Sequence, residues 1–147
     1  MFKSEKFIKQ EKLIKSAEKK SSDDFFKKIG RVGEEYAVEH LRKKGAKIVE
    51  RNWKARFGEI DIIAKHEDQT LIVEVKTRLD SELSRELLFC NVDRRKQQKL
   101  QNLAECYMYS KVWQFDPKQH RFRIDAVGVI VDRRFKLLEL IHLKEIA

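Results

Sequence analysis

Hydrophobic and polar residues alternate most regularly in the stretch 58–78, whose sequence is GEIDIIAKHEDQTLIVEVKTR. Such alternation is typical of strands with one buried face, because successive side chains of a strand point to opposite sides. The polar run HEDQT interrupts the alternation. The stretch therefore predicts a hairpin of two strands joined by a short turn.

Two other segments have apolar residues at three- and four-residue steps, which predicts amphipathic helices at residues 24–44 and 92–111. Gly45 is a natural end for the first helix. Gly30 and Gly33 are unusual inside a helix, since each is unfavourable by about 1 kcal/mol relative to alanine. They indicate either a close approach of the backbone to a neighbouring element or a helix that begins near Gly33.

The remaining segments complete the predicted order of helix, three strands, helix and two strands. Residues 46–54 form a short strand that ends at Arg51-Asn52, and residues 121–131 and 135–146 form a final strand pair. Residues 79–91 lack a clear period and are predicted to be a mobile loop. This order predicts the α/β class, with a mixed central sheet flanked by helices.

The first 24 residues are rich in lysine. Nine lysines and five acids fall within residues 1–28, so 9 − 5 gives a local net charge of +4. A weak helix is expected there, ending at the Ser21-Ser22-Asp23 cluster. We divide the chain into a basic extension (1–24) and one domain (25–147). The extension is either an arm that contacts nucleic acid or a solvated appendage.

Composition favours a polyanionic partner. The 147 residues fit a single domain, and 33 Lys+Arg against 24 Asp+Glu give a net charge of +9. Cys90 and Cys106 form no CxxC motif and are expected to be reduced thiols. No apolar run approaches the ~20 residues of a membrane span, so no membrane association is expected and the predicted location is cytoplasmic.

Three charged residues in the apolar hairpin form the pattern D-x12-E-x-K, namely Asp61, Glu74 and Lys76. Charged groups among apolar residues are costly unless they pair or bind something. Two carboxylates supply the hard oxygen ligands that Mg2+ prefers, and the Val75 carbonyl is a further candidate ligand. Lys76 can orient or deprotonate an attacking water, or offset charge in the transition state of phosphodiester hydrolysis.

A purely structural ion pair, Glu74 with Lys76 or Arg78, explains the same residues without any chemistry. The four histidines show no metal-ligand spacing and receive no predicted role. They are His40, His66, His120 and His142.

Linked short motifs extend well beyond the hairpin. They are GRVGE at 30–34, RN at 51–52, GEID at 58–61, VEVKTR at 73–78, KQ at 96–97 and RID at 123–125. On these residues the chain resembles the YraN-like family of small bacterial proteins. That family is similar to archaeal Holliday-junction resolvases and belongs to the PD-(D/E)xK nuclease superfamily. One departure is Ile60, which precedes Asp61 where the superfamily motif has proline.

The resemblance implies a restriction-endonuclease-like fold with a catalytic site at Asp61, Glu74 and Lys76. Mg2+ or Mn2+ would be held by Asp61, Glu74 and Val75, with Glu34 as an additional acid near the metal. DNA, including branched DNA, is the implied partner. The candidate nucleic-acid contacts are Arg51, Arg56, Arg78, Lys96, Gln97 and Arg123.

The functional prediction is a metal-dependent endonuclease that hydrolyses phosphodiester bonds in structured or branched DNA. The alternative is a non-catalytic nucleic-acid-binding module on the same fold. A third interpretation is an interaction protein whose basic arm docks on an acidic partner. Junction cutting by two symmetric nicks would favour a homodimer.

Overall fold

Five strands form one mixed sheet in the structure, a computed structural model that describes residues 5–111 and 121–147, apart from the Phe7 side chain. The strands are β1 (Lys47–Ala55), β2 (Gly58–His66), β3 (Gln69–Leu79), β4 (Arg121–Val131) and β5 (Leu137–Leu143). They lie side by side in chain order. Only the β3–β4 pair is parallel. The predicted hairpin and the final strand pair are confirmed.

Helices cover both faces of the sheet, which confirms the predicted mixed α/β architecture. The helices are α1 (Glu5–Lys43), α2 (Ser84–Leu87) and α3 (Arg94–Ser110). The core on the α1 face includes Ala37, Leu41, Ile62, Val73 and Val127. The core on the α3 face includes Ile63, Ile72, Leu103, Tyr107 and Ile124. Each fully buried aliphatic side chain stabilises the fold by about 1.5–3 kcal/mol.

Helix α1 is one uninterrupted helix of 39 residues. The predicted break at Ser21-Ser22-Asp23 is therefore wrong, and so is the alternative start near Gly33. Serine and aspartate each destabilise a helix by less than about 1 kcal/mol relative to alanine, which is too little to end a long helix. The part of α1 before Phe25 is almost entirely exposed and forms the basic helical extension. Residues 1–4 lie outside the described residues.

None of the helices within 5–111 and 121–147 is both long enough and apolar enough to span a membrane.

Strand β1 does not end at Arg51-Asn52, as the sequence suggested, but continues to Ala55. Asn52 has a φ of 51°, in the left-handed region that asparagine adopts more readily than most residues. The strand therefore changes direction locally without losing its pairing to β2, which resumes at Trp53.

The segment 79–91 is not the structureless loop that was predicted. It contains the single turn α2, and Leu88 is buried. A Cβ atom on Gly128 of β4 would lie 2.3 Å from Leu88 Cδ2. The glycine thus lets this segment pack directly on the sheet. Because the segment packs through a few side chains rather than along one face of a helix or strand, its sequence shows no period.

Gly33 allows α1 to approach β3 closely. A Cβ atom at this position would lie 1.8 Å from Thr77 Oγ1 and 2.7 Å from Thr77 Cβ. A Cβ on Gly30 would meet no atom within 4 Å. The close-approach explanation is therefore correct for Gly33 and not for Gly30.

The two glycines form a matched pair for mutagenesis. Gly33→Ala should lower the free energy of unfolding by about 1–3 kcal/mol, because the new methyl group forces α1 away from Thr77. Gly30→Ala should instead raise it by up to about 1 kcal/mol through helix propensity. Urea unfolding followed by circular dichroism measures both. Equal effects of the two substitutions would contradict the close contact.

Candidate active site

Strands β2 and β3 pair only along part of their length, and the candidate site lies where they separate. Their pairing runs from His66 opposite Gln69 to Ile62 opposite Val73. Beyond Val73, β3 continues to Leu79 beside β4. The Val75 N–H donates to Asp61 Oδ2 at 2.8 Å. The Asp61 carboxyl group therefore satisfies a backbone donor at the point where strand pairing ends.

The face that β2 presents to each helix changes at Asp61. Ile60 and Ile63 both belong to the core on the α3 face, whereas Ile62 belongs to the core on the α1 face. The alternation that was predicted for the stretch 58–78 is therefore interrupted at Asp61. Asp61 lines a cleft on the α1 side of the sheet. Asn52, whose backbone is left-handed, lies beside it on the neighbouring strand β1.

Glu74 is almost fully buried, with 4% of its surface exposed. Its Oε1 atom lies 3.0 Å from Lys76 Nζ and 3.1 Å from Lys96 Nζ. A buried carboxylate is strongly unfavourable unless cations and hydrogen bonds compensate it. Two ammonium groups, one from β3 and one from α3, provide that compensation.

Asp61 has no such cation within hydrogen-bonding distance among the described residues. Burial and the neighbouring charge of Glu74 raise the pKa of Asp61 to about 7, with Glu34 adding to the effect. The Val75 N–H and Lys76 act in the opposite direction. The Asp61 carboxylate is thus the group in the cleft that an added positive charge, whether a proton or a metal ion, would stabilise most.

Glu34 enters the cleft from α1, one residue after the contact between Gly33 and Thr77. Burial raises the pKa of Glu34. Asn52 Nδ2 donates to its Oε2 atom at 3.5 Å, and Arg51 Nη2 lies 3.7 Å from the same oxygen. The glutamate is therefore placed by the tight helix–sheet contact and oriented by β1.

The donor set fits a hard divalent cation. Asp61, Glu74, Glu34 and the Val75 carbonyl offer only oxygen ligands, which suit Mg2+ or Mn2+. Within the part of the chain that the structure describes, no three His, Cys, Asp or Glu side chains form a ready-made metal cage. Mg2+ usually keeps several waters and shares the substrate phosphate, so one or two carboxylates are sufficient.

The cleft has a volume of about 620 Å³ and is lined by Gly30, Glu34, Asp61, Val75, Thr77 and Arg78 among others. Arg78 is tied to the segment after β3, since its Nε donates to the Leu87 carbonyl at 2.8 Å. Its guanidinium group therefore anchors that segment at the mouth of the cleft.

The other predicted nucleic-acid contacts lie in different surroundings. Arg51 Nη1 pairs with Glu35 at 2.7 Å, and Gln97 Nε2 donates to the Val92 carbonyl at 3.1 Å. Arg56 is exposed in the turn between β1 and β2. Arg123 lies away from the cleft, paired with Asp125.

Two features of the site escaped the sequence analysis. Lys96 was considered only as a phosphate contact, whereas it also pairs with Glu74, 22 residues earlier in the chain (96 − 74). Asn52 was taken as a strand end, although asparagine adopts the left-handed region more readily than most residues. The spacing of the sequence gave no signal for the first feature and a weak one for the second.

Comparison with known proteins agrees with the motifs. Residues 33–129 match the model of Uncharacterised protein family UPF0102. A UPF0102 protein of Dictyoglomus thermophilum is 38% identical over 115 residues, which cover 77% of this chain and 91% of the relative. A UPF0102 protein of Caldanaerobacter subterraneus is 39% identical, with coverage of 79% and 90%. The matched region contains Glu34, Asp61, Glu74 and Lys76.

The raised pKa of Asp61 makes stability depend on pH. An acid whose pKa is higher in the folded than in the unfolded chain reduces stability as pH rises from about 4, its unfolded value, to about 7. Asp61→Asn removes this loss and keeps an oxygen acceptor for the Val75 N–H. We expect the variant to be more stable than the wild type by about 4 kcal/mol at pH ~8, but not at pH ~4.

Urea unfolding in EDTA at the two pH values measures this difference. Asp68→Asn, in the exposed turn between β2 and β3, is the matched control and should behave as the wild type. A stability gain for Asp61→Asn that is equal at both pH values would exclude the burial of a carboxyl group as its cause.

Proposed function

Because the chain belongs to Uncharacterised protein family UPF0102, with motifs that resemble the PD-(D/E)xK nucleases, we propose that it is a metal-dependent endonuclease acting on structured or branched DNA. One observation carries this proposal. Half-buried Asp61 lies beside buried Glu74, so that desolvation and then the charge of Glu74 raise the pKa of Asp61 to about 7, and Lys76 lies 3.0 Å from Glu74. This arrangement is costly for stability and suited to phosphodiester hydrolysis.

Asp61, Glu74 and the Val75 carbonyl would hold the metal ion, with Glu34 nearby. Bound Mg2+ or Mn2+ would supply charge neutralisation at the phosphate and a more acidic water. The Val75 N–H keeps the Asp61 carboxylate in one orientation, and burial limits competing contacts with solvent. The chain's own contribution is thus a rigid pair of oxygen donors.

Lys76 is the candidate for activating or orienting the attacking water. Its side chain is partly exposed, and its ammonium lies 3.0 Å from Glu74 Oε1. In hydrolysis the water oxygen forms a bond to phosphorus, the bond to the leaving oxygen breaks in line, and a water proton is released. A lysine beside the reacting phosphate can accept that proton only if it is deprotonated first. As an ammonium it offsets transition-state charge.

Lys96 gives the site a second cation beside Glu74. Its ammonium is 3.1 Å from Glu74 Oε1, so both lysines share one carboxylate oxygen. Binding of a metal ion by Glu74 would weaken these ion pairs. The released ammonium groups would then be available for substrate phosphates, which connects metal binding with DNA binding.

DNA is the proposed substrate because of charge and position. The chain carries a net charge of +9, and phosphate neutralisation supplies most of the non-specific affinity of DNA-binding proteins. Arg56 lies exposed at one edge of the sheet, and Arg78 lies at the mouth of the cleft. The lysine-rich exposed part of α1 adds a further basic surface.

A nicking assay tests the proposed chemistry. Plasmid, linear duplex, flap and four-way junction DNA are incubated with the full chain in Mg2+, Mn2+ or EDTA. We expect metal-dependent cleavage that falls at least about 100-fold in Glu74→Gln and in Lys76→Ala, because each removes charge from the reacting centre. Glu105→Gln, on the exposed side of α3, is the matched control and should retain full activity.

The alternatives give different results in the same assay. DNA binding without cleavage in any metal would identify a non-catalytic nucleic-acid-binding module. Cleavage that persists unchanged in Glu74→Gln would refute the assigned site, and the absence of both binding and cleavage would refute the proposal.

The salt dependence of DNA affinity tests the proposed contacts separately from catalysis. In EDTA, the logarithm of the association constant should fall linearly with the logarithm of salt concentration. Arg56→Ala should reduce the slope by about one phosphate contact, that is by about 0.9. Lys136→Ala, exposed at the opposite edge of the sheet next to β5, should leave the slope unchanged. Equal slopes for all three proteins would remove Arg56 from the interface.

A further inference from the structure

A second group of titratable side chains lies on the α1 face of the sheet, away from the cleft. It surrounds Leu71 of β3, four residues before Val75, which corresponds to about 13 Å along the strand. A cavity of about 310 Å³ is present there. Six polar side chains contribute to its lining, and they are His40, Lys44, His66, Arg123, His142 and Lys144.

The base of this group is Asp125, a fully buried aspartate on β4. Its carboxylate accepts hydrogen bonds from His142 Nε2 at 2.8 Å and from Arg123 Nε at 2.8 Å and Nη2 at 2.9 Å. The Glu145 N–H adds a fourth at 3.1 Å. Burial acts to raise the pKa of Asp125, but these donors lower it to about 2.

An ionised carboxylate only accepts hydrogen bonds, so His142 must donate from Nε2 to Asp125. Neutral His142 then has an unprotonated Nδ1, which lies 3.0 Å from His40 Nε2. His40 must therefore donate from Nε2, which leaves its own Nδ1 as the proton acceptor of the chain. Asp125 thus determines the tautomers of two imidazoles in series.

The cationic side chains of the cavity have few acidic partners. Within the described residues, neither the Lys44 nor the Lys144 ammonium forms an ion pair. His66 Nε2 donates to the Lys44 carbonyl at 3.1 Å and adds a third imidazole from β2. Among the residues that the structure describes, no acidic side chain lines the cavity. Glu67 and Glu145 act electrostatically on Arg123.

We propose that this cavity binds a phosphate monoester group, with Lys44 and Lys144 as its cationic contacts and the His40–His142 pair taking up a proton on binding. Cavities that hold small ligands begin at about 300 Å³, so this one suits a phosphate with a small substituent. Arg123 is already engaged by Asp125 and serves to position the histidine pair rather than to contact the ligand.

The electrostatics of His40 support the coupling to a proton. Burial, His142, Lys44 and Lys144 all lower the pKa of His40. A bound dianion would oppose the repulsion from the three neighbours and raise the His40 pKa. Linkage then requires that the anion binds more tightly as pH falls through the titration of His40.

Titration with sulfate and inorganic phosphate tests the proposal. Sulfate remains a dianion across the pH range used, whereas phosphate itself titrates near pH ~6. Any pH dependence of sulfate affinity therefore comes from groups of the protein. We expect sulfate affinity, measured by calorimetry on the full chain, to be roughly three- to tenfold higher at pH ~5.5 than at pH ~8. Nitrogen-detected NMR of the histidine rings should show Nε2-protonated tautomers for His40 and His142 at pH ~8.

Two exposed lysines provide variants that should fold normally. Lys44→Ala and Lys144→Ala should each weaken sulfate binding several-fold, while Lys136→Ala, exposed between β4 and β5 at the other end of those strands from Arg123 and His142, should not. Sulfate binding that is independent of pH, or that Lys44→Ala and Lys144→Ala leave intact, would overturn the proposal. These measurements contain no divalent metal and no cleavage step, so they do not depend on the nuclease activity.

The source of the phosphate group is then identified by comparison of probes. Adenosine monophosphate, a 5′-phosphorylated oligonucleotide and the same oligonucleotide with a 5′-hydroxyl are titrated in parallel. Perturbation of the His40 and His142 ring signals by the two phosphorylated probes supports a terminal phosphate of nucleic acid. Perturbation by the mononucleotide alone supports a small phosphorylated ligand. Equal perturbation by the 5′-hydroxyl oligonucleotide would overturn recognition of a monoester.

Discussion

The hydrogen bond from the Val75 N–H to Asp61 Oδ2 holds together the part of the sheet on which the candidate site depends. It spans the point where β2 and β3 separate, and it satisfies a backbone donor with a side chain. The same bond fixes the orientation of the Asp61 carboxylate, which, unlike Glu74, has no cation within hydrogen-bonding distance among the described residues to balance its charge. Without it, the separation of the strands would leave an unpaired N–H on Val75 and an Asp61 carboxyl group with no fixed orientation.

The site consists of charges that the fold stabilises unequally. Glu74 is held by Lys76 and Lys96, whereas burial beside Glu74 leaves Asp61 with a pKa of about 7. A stability-optimised protein would replace such groups by apolar residues at little or no loss. The arrangement is understandable if a cation and a phosphate complete it, because both would relieve the imbalance that the protein alone maintains.

Helix α1 links the two polar regions of the sheet. In its C-terminal third, the contact of Gly33 with Thr77 brings Glu34 to the cleft, and near its end His40 reaches His142 at 3.0 Å. The first region is acidic with lysines at its margin, and the second is basic over one buried aspartate. A rigid helix packed on a sheet thus places two sites of opposite charge on the same face.

Period and local spacing were enough to predict the hairpin, the order of the five strands and two long helices, and the D-x12-E-x-K residues. Tertiary structure alone decided that β4 lies parallel to β3, that the strand faces change at Asp61, that Lys96 meets Glu74, and that His40 meets His142. These pairs are separated by up to 102 residues. No local pattern records such contacts, since they form only when packing of the two cores brings distant segments together.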